Sequence, residues 1–246
     1  MRSATTIFPD TPYSKIVFSA IRDLVQPDFE IPAKLKLDHS QKMDGLKLLS
    51  AIPAASVPLV FFDPQYRSVL DKQQYGNEGE RQKSRAELPQ MDDNTIKRFI
   101  YQIERVLMPS GHLMLWVDKF IVCRGIHFLL EGSALQLVDM ITWNKGRMGM
   151  GYRTRRYSEH LVVLQKIPVR AKGVWRIHNI PDVWDEKIEN GARNHTHSKP
   201  TGLQERLIEA VTNAGDIVVD PAAGGYSVLK AARNTERRFL GCDLLG

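Results

Sequence analysis

Short continuous apolar runs alternate along this chain with longer segments in which apolar residues recur every three or four positions, the pattern of strands feeding helices in an α/β fold. Thr11-Pro12 opens a predicted helix in which Ile16, Val17, Ala20, Ile21, Leu24 and Val25 return to one face, and Pro27 ends it. A short second helix, with Leu46, Leu48, Leu49 and Ile52 as its apolar set, stops at Pro53. It leads into Val57-Pro58-Leu59-Val60-Phe61-Phe62, apolar on both faces as a buried parallel strand must be. From Asp93, the positions Ile96, Phe99, Ile100, Ile103, Val106 and Leu107 predict a helix closed by Pro109-Ser110-Gly111, with a strand from His112 to Val117 after it and a further strand-to-helix step beyond. Leu135 to Trp143 and Leu161 to Gln165 read as two strands joined by Asn144 to His160, a long loop crowded with Gly and Arg. The last third is the most regular. A helix with Leu203, Leu207, Ile208 and Val211, a strand Ile217 to Val219, a helix near Ser227 to Arg233 and a strand Phe239 to Cys242 form a βαβ unit, which binds nucleotides at the carboxyl ends of its strands.

With 246 residues, 43% of them apolar and 25% charged, the chain can bury a full core as one globular domain, and disorder and fibre are excluded. Residues Met1 to Asp10 lack the basic end and apolar core of a signal peptide, and the longest apolar runs are strand-sized, so a cytoplasmic protein with no membrane partner is expected. Cys123 and Cys242 form no Cys-x-x-Cys pair and read as plain buried thiols rather than a disulfide or zinc framework. The net charge of +6 fits an anionic partner or ordinary solubility equally, so the placement of the charge has to decide.

Three groups of residues carry candidate chemistry. Asp63-Pro64-Gln65-Tyr66 directly follows the buried run, placing a carboxylate, backbone carbonyls and an aromatic ring at a strand's carboxyl end; it reads either as a strand-ending turn or as a site for the exocyclic amine of a flat base. Gly215-Asp216-Ile217-Val218-Val219-Asp220-Pro221-Ala222-Ala223-Gly224-Gly225-Tyr226-Ser227, with Asp243 closing the next strand, sets two acids and a glycine turn where a nucleoside with an amino-acid tail would fit. His197-Ser198-Lys199-Pro200 precedes the helix that feeds this unit.

In this order the three resemble the amino DNA methyltransferases of the circularly permuted β class, in which Asp-Pro-Pro-Tyr comes first and the Lys-Pro and Asp-Pro-Phe-x-Gly motifs last. Leu48-Leu49, Ile52-Pro53, Ser56-Val57 and Leu59-Val60 resemble the approach to that tetrapeptide, and Ile141-Thr142-Trp143-Asn144-Lys145 with Ser158-Glu159-His160 resemble the family's central strands. Two departures stand out: Gln65 where Pro is usual, and Ala222 and Tyr226 where Phe and Gly are usual. Tyr226 with a positive φ would be strained, so the turn would be reshaped or cofactor binding weakened.

The resemblance implies a Rossmann-like, mostly parallel seven-stranded sheet with helices on both faces. It implies one methyltransferase domain over residues 1–246, with a catalytic half about 1–166, a short candidate recognition insert about 167–194 and a cofactor half about 195–246. It further implies S-adenosylmethionine as methyl donor and adenine N6 in double-stranded DNA as acceptor, as in the restriction-modification enzymes of bacteria or phages. Cytosine N4, or a catalytically degenerate DNA-binding subunit, is the alternative, and a homodimer or partner subunit is compatible with the short insert. Asp63, Pro64, Gln65 and Tyr66 are then the catalytic set, with Tyr66 stacked on a base flipped out of the duplex. Asp220, Pro221, Gly224 and Ser227 would line the methionine end of the cofactor, Lys199 and Pro200 would pack nearby, and Asp243 would hold the ribose. Asp44, or Asp38 in its place, would meet the adenine ring or else cap the following helix.

Lys145, Arg147, Arg153, Arg155 and Arg156, interleaved with Tyr152 and Tyr157, are the expected phosphate contacts. Arg67 to Met91, polar and without a clear period, reads as a loop that closes over the base or as a disordered one. His195 and His197 are too few ligands for a metal, and Trp143, Trp175 and Trp184 read as core or interface anchors. Methylation at cytosine C5 needs a nucleophilic Cys after a Pro, which neither cysteine is; the messenger-RNA adenosine methyltransferases end their tetrapeptide in Trp where this chain has Tyr66.

Overall fold

A computed structural model of the chain describes residues 24–66, 90–149, 153–187 and 199–246. The described elements in chain order are α1 (Gly45–Ala51), β1 (Val57–Phe62), α2 (Asp93–Val106), β2 (Leu107–Val117), α3 (Lys119–Arg124), α4 (His127–Leu130), β3 (Leu135–Asn144), β4 (Ser158–Lys166), β5 (Val183–Asp185), α5 (Thr201–Val211), β6 (Ile217–Asp220), α6 (Ser227–Asn234) and β7 (Arg238–Gly241). The strands form one seven-stranded sheet in the order β5-β3-β4-β2-β1-β6-β7. Only β4 runs against its neighbours, so the sheet is mostly parallel, as expected.

Every residue of β1 is buried because this strand lies inside the sheet and both its faces are covered. Leu59 and Phe61 pack into one apolar cluster with Leu203, Leu207 and Val228 of α5 and α6. Val60 and Phe62 enter the opposite cluster with Leu48 and Leu49 of α1 and Ile96 and Ile100 of α2. Phe62 stacks on Phe99 with ring centroids 4.9 Å apart. Each such fully buried side chain stabilises the fold by roughly 1.5–3 kcal/mol, so the sheet's centre is where truncation costs most.

Three expectations need correction. Pro109-Ser110-Gly111 is not a turn between helix and strand: β2 already begins at Leu107. The segment is instead absorbed as a bulge, with Leu107 opposite Val57, His112 opposite Leu59 and Ser110 at φ 65°. Cys123 is exposed, since the short α3 buries only Ile121; Cys242 is buried. Leu24 and Val25, expected at the end of the first helix, are not helical, and Leu24 packs with Met108 and Val174. The rest of that helix lies outside the described residues, as do residues 67–89 of the expected loop after Tyr66.

The segment between β4 and α5 does not stand apart from the sheet over its described part. Val183–Asp185 joins the edge beside β3, and the Glu186 carboxylate accepts from the backbone N–H groups of Gly202 and Leu203 at 3.0 and 3.1 Å, capping α5. Among the described residues no helix is long and apolar enough to cross a membrane.

Candidate active site

Parallel strands β2, β1 and β6 lie side by side and deliver an acid each at their carboxyl ends: Asp118, Asp63 and Asp220; Asp243 follows β7 next in line. Their surroundings separate them. Asp118 accepts from Phe120 N and Ile121 N, both at 2.9 Å, as the cap of α3. Asp63 meets the Lys199 ammonium at 2.9 Å, while its side chain keeps 39% of its surface open. Asp220 is buried and accepts only from Ala222 N, at 3.1 Å, among the described residues.

Lys199, just ahead of α5, is shared. Its Nζ also lies 2.8 Å from Glu159 Oε2, and 5.0 Å from the centre of the Trp116 ring. The other oxygen of Glu159 is taken by Lys145 Nζ at 3.0 Å. Four charges therefore alternate from Asp63 through Lys199 and Glu159 to Lys145. Burial would lower Lys199, but its two carboxylates outweigh that and hold the ammonium above its ordinary range. Burial would raise Glu159, and the two lysines reverse it, bringing its carboxyl down to about 2. Burial raises Asp63, with Lys199 opposing and Glu159 adding to the rise. Because Lys199 is protonated whenever this site is near neutrality, we read the contact as an ion pair.

Asp220 stands in contrast. Burial lifts its carboxyl from 3.8 to about 8; the Ala222 N–H opposes this, and the charges of Asp63 and then Asp243 add to the rise. The turn that follows is bare among the described residues: Gly224 sits at φ 47°, and a Cβ there would meet none of them within 4 Å. A Cβ on Gly45 would by contrast collide with the Pro221 carbonyl, so the start of α1 rests directly on this turn.

The remaining expected residues fall as follows. Pro64 is buried, and its carbonyl accepts from Tyr66 N at 2.8 Å. Gln65 is exposed, and its carbonyl accepts from Met91 N at 2.9 Å, so the position that departs from the family uses its backbone. Tyr66 packs against the core; its hydroxyl is buried without a hydrogen-bond partner among the described residues, and the residue borders a cavity of about 340 Å³ lined also by Met91, Asn94 and Ile121. Pro200 is the buried N-cap of α5. Ser227 Oγ accepts from Gln204 Nε2 at 3.1 Å, linking α6 to α5. Asp243 Oδ1 accepts from Leu245 N at 2.8 Å. Asp44 caps α1, accepting from Leu46 N and Lys47 N at 2.9 and 3.1 Å. Asp38 accepts from Phe239 N at 2.7 Å and pairs with Arg238, at the amino end of β7 and so away from Asp243.

Tyr226 does take the left-handed conformation, φ 55° and ψ 33°. The strain, roughly 1–2 kcal/mol for a residue with a Cβ, is offset locally. Its hydroxyl donates to Gln41 O and accepts from Gln41 N, both at 3.1 Å, and its ring meets Phe239 edge-on at 6.1 Å. Two such hydrogen bonds contribute about 1 kcal/mol each. The clamped segment runs alongside Asp243: Lys42 bridges to it, Met43 N donates to its carbonyl at 3.0 Å and its N–H donates to Gln41 O at 3.2 Å.

The basic loop divides. Arg147, Arg153 and Arg155 are exposed. Arg155 Nε donates to Gly149 O at 3.0 Å, and Arg156 is half-buried with one guanidinium nitrogen unpartnered among the described residues. Lys145, expected on phosphate, points inward with only 11% of its side chain exposed. Tyr152, His195, His197 and Ser198 lie outside the described residues. Trp143 is core, Trp175 donates to Ile177 O at 2.7 Å, and Trp184 donates to Glu186 at 2.7 Å. The roles of Glu159 and Glu186 were not anticipated from the sequence. For Glu159 the available signal is an acid two positions ahead of the apolar run Leu161–Leu164, where an unpaired charge is costly.

The sequence profile of the DNA methylases of the N6/N4 type matches residues 57–245. The chain is 54% identical over 211 residues to the type II methyltransferase M.HhaII of Haemophilus parahaemolyticus, covering 85% of this chain and 92% of the relative. In fold it is similar to the cytosine-N4-specific PvuII DNA methyltransferase, with a TM-score of 0.64 at 16% identity over 83% of this chain and 81% of that one. It is similar also to M1.HpyAVI, solved in complex with SAM, with a TM-score of 0.55 at 18% identity over 83% and 91%.

Proposed function

The chain belongs to the N6/N4 family of DNA methylases, and on that premise we propose that it transfers the methyl group of S-adenosylmethionine to adenine N6 in DNA, with Asp63 as the residue that meets the target amine. The observation that carries this reading is the partly open Asp63 carboxylate at the end of β1, held by Lys199 one strand away from Asp220. Adenine rather than cytosine is favoured by the Asp, in place of Ser, at the head of the tetrapeptide.

An aromatic amine is a poor nucleophile because its lone pair is delocalised into the ring. A carboxylate that accepts one of its N–H bonds favours a pyramidal nitrogen, which localises the pair as attack begins. Asp63 Oδ2 is engaged by Lys199, so Oδ1 is the oxygen placed to accept that N–H. The Pro64 carbonyl retains a second lone pair for the other N–H. S-adenosylmethionine, when bound, supplies a methyl group on a sulfonium whose sulfur takes the bonding pair as the new C–N bond forms. The methylated nitrogen then loses one proton, toward Asp63 or water. Since an in-line displacement depends mainly on alignment, rigid placement of Asp63 contributes more than its basicity.

The residues present fit the cofactor. Asp220 is a buried acid without a cation among the described residues, which suits an ammonium. Asp243 ends the next strand, and the bare turn at Gly224 leaves room beside its backbone. The target base must leave the duplex stack to reach Asp63, at a cost of a few kcal/mol. The exposed Arg147, Arg153 and Arg155 supply phosphate contacts.

The test is incubation with unmethylated DNA and labelled S-adenosylmethionine, then digestion to nucleosides and mass spectrometry, beside Asp63→Ala. The expected product is N6-methyladenine, with kcat down on the order of 10³-fold in the variant. N4-methylcytosine would move the substrate to cytosine. No methylated base, with DNA binding intact, would make the chain a degenerate subunit.

A further inference from the structure

The acid at the far side of Lys199 is a charged group of this site that the proposed reaction does not use directly. Glu159 lies on β4, the antiparallel strand, opposite Trp143 of β3, and reaches the site from across β2. Both its oxygens are committed: Oε2 to Lys199 at 2.8 Å and Oε1 to Lys145 at 3.0 Å. Lys199 in turn sits between Glu159 and Asp63 at nearly equal distances, 2.8 and 2.9 Å, above the face of Trp116. An ammonium held by one carboxylate alone would move onto it and neutralise it as an acceptor. Held by two, it fixes the orientation of Asp63 while sharing its charge. Lys145 closes the chain, so that two cations face two anions and no buried charge is left over.

We propose that Glu159 is a positioning residue for methyl transfer: by sharing Lys199 it fixes Asp63 Oδ2 and leaves Oδ1 free for the target amine. This rests on the role proposed for Asp63, and the Asp63→Ala control tests that role separately. Glu159 acts through Lys199 and not on base or cofactor.

The experiment compares steady-state kinetics of the wild-type protein, Glu159→Gln, Lys199→Met and the double variant, with cofactor affinity measured by calorimetry. In Glu159→Gln, kcat is expected to fall about 100-fold, the effect of a misplacement near 1 Å, while KM for DNA and cofactor affinity stay within about threefold of wild type. The double variant is expected to be no worse than Lys199→Met alone, because both substitutions break one unit. Unchanged kcat in Glu159→Gln, a loss confined to KM, or losses that multiply in the double variant would each overturn the proposal. Should Glu159→Gln fail to bind cofactor, Glu159→Asp keeps the charge one methylene short and is expected to lose kcat with affinity retained; wild-type kcat there overturns the proposal as well. An active wild type with an equally active Asp63→Ala would instead overturn the reading of Asp63.

Discussion

Two acids one strand apart, Asp63 and Asp220, solve the same electrostatic problem in opposite ways. Asp63 has its counter-charge built in, through Lys199, Glu159 and Lys145. Asp220 has none among the described residues, and burial leaves its carboxyl at about 8. On the proposed reading, the difference separates a part of the site that is rigid before the substrate arrives from a part that a cationic ligand completes. A built-in ion pair fixes geometry; an uncompensated acid stores affinity for a positive charge.

The sharpest way to break this contrast is Asp220→Asn. At pH 7 a carboxyl with a pKa of about 8 is mostly protonated in the free protein, so an incoming ammonium must expel that proton. Wild-type cofactor binding is therefore expected to release close to one proton at pH 7 and to tighten as pH rises toward 8, read by calorimetry in buffers of different ionisation enthalpy. The Asn variant should release none and bind about 10- to 100-fold more weakly. Without ligand the sign is opposite: the buried acid costs stability once pH exceeds its unfolded value of 3.8, and the cost is complete above about 8. Asp220→Asn should therefore raise Tm at pH 8 and leave it nearly unchanged at pH 4. Equal proton release in both proteins would erase the contrast.

A smaller effect concerns the clamp that holds the segment beside Asp243 in shape. Tyr226→Phe keeps the ring on Phe239 and removes both bonds to the Gln41 backbone, so we expect about 1–2 kcal/mol lower stability in denaturant titration. Cofactor affinity should fall about 3- to 10-fold, since each 1.4 kcal/mol is tenfold, with kcat unchanged. Tyr226→Gly should weaken binding too, because relief of the left-handed strain does not replace the missing clamp; improved binding would show that the tyrosine crowds the ligand.

The smallest effect sharpens the inward and outward halves of the basic loop. Arg147→Ala, Arg153→Ala or Arg155→Ala should each lower the slope of log affinity for DNA against log salt by about 0.9 for every phosphate that the variant no longer neutralises. Lys145→Met should leave the slope unaltered, since that ammonium is committed to Glu159.

Much of the frame was legible because it depends on local pattern. The all-apolar run of β1, the helical spacing of α2 and α5 and the acids at strand ends mark the sheet and the end of it that carries chemistry. The contacts were not legible, because they join residues far apart in sequence. Lys199 and Glu159 meet only because β4 is antiparallel and lies on the far side of β2. Lys145 reads as one more base in an arginine-rich loop, yet it follows Trp143 by two positions and so shares its face, across from Glu159. Tyr226 carries the same lesson at close range. Its strain could be anticipated from the turn, but its partner at Gln41 lies 185 positions away along the chain.

That last contact makes the order of synthesis matter. Gln41 to Met43 leave the ribosome well before β1, and Asp243 only after β7, yet they close one edge of the sheet together. The Asp63 carboxylate can emerge while much of the chain is still unmade, but the edge that joins Lys42 to Asp243 waits for β7 to arrive. That edge is complete only once the two distant segments have met.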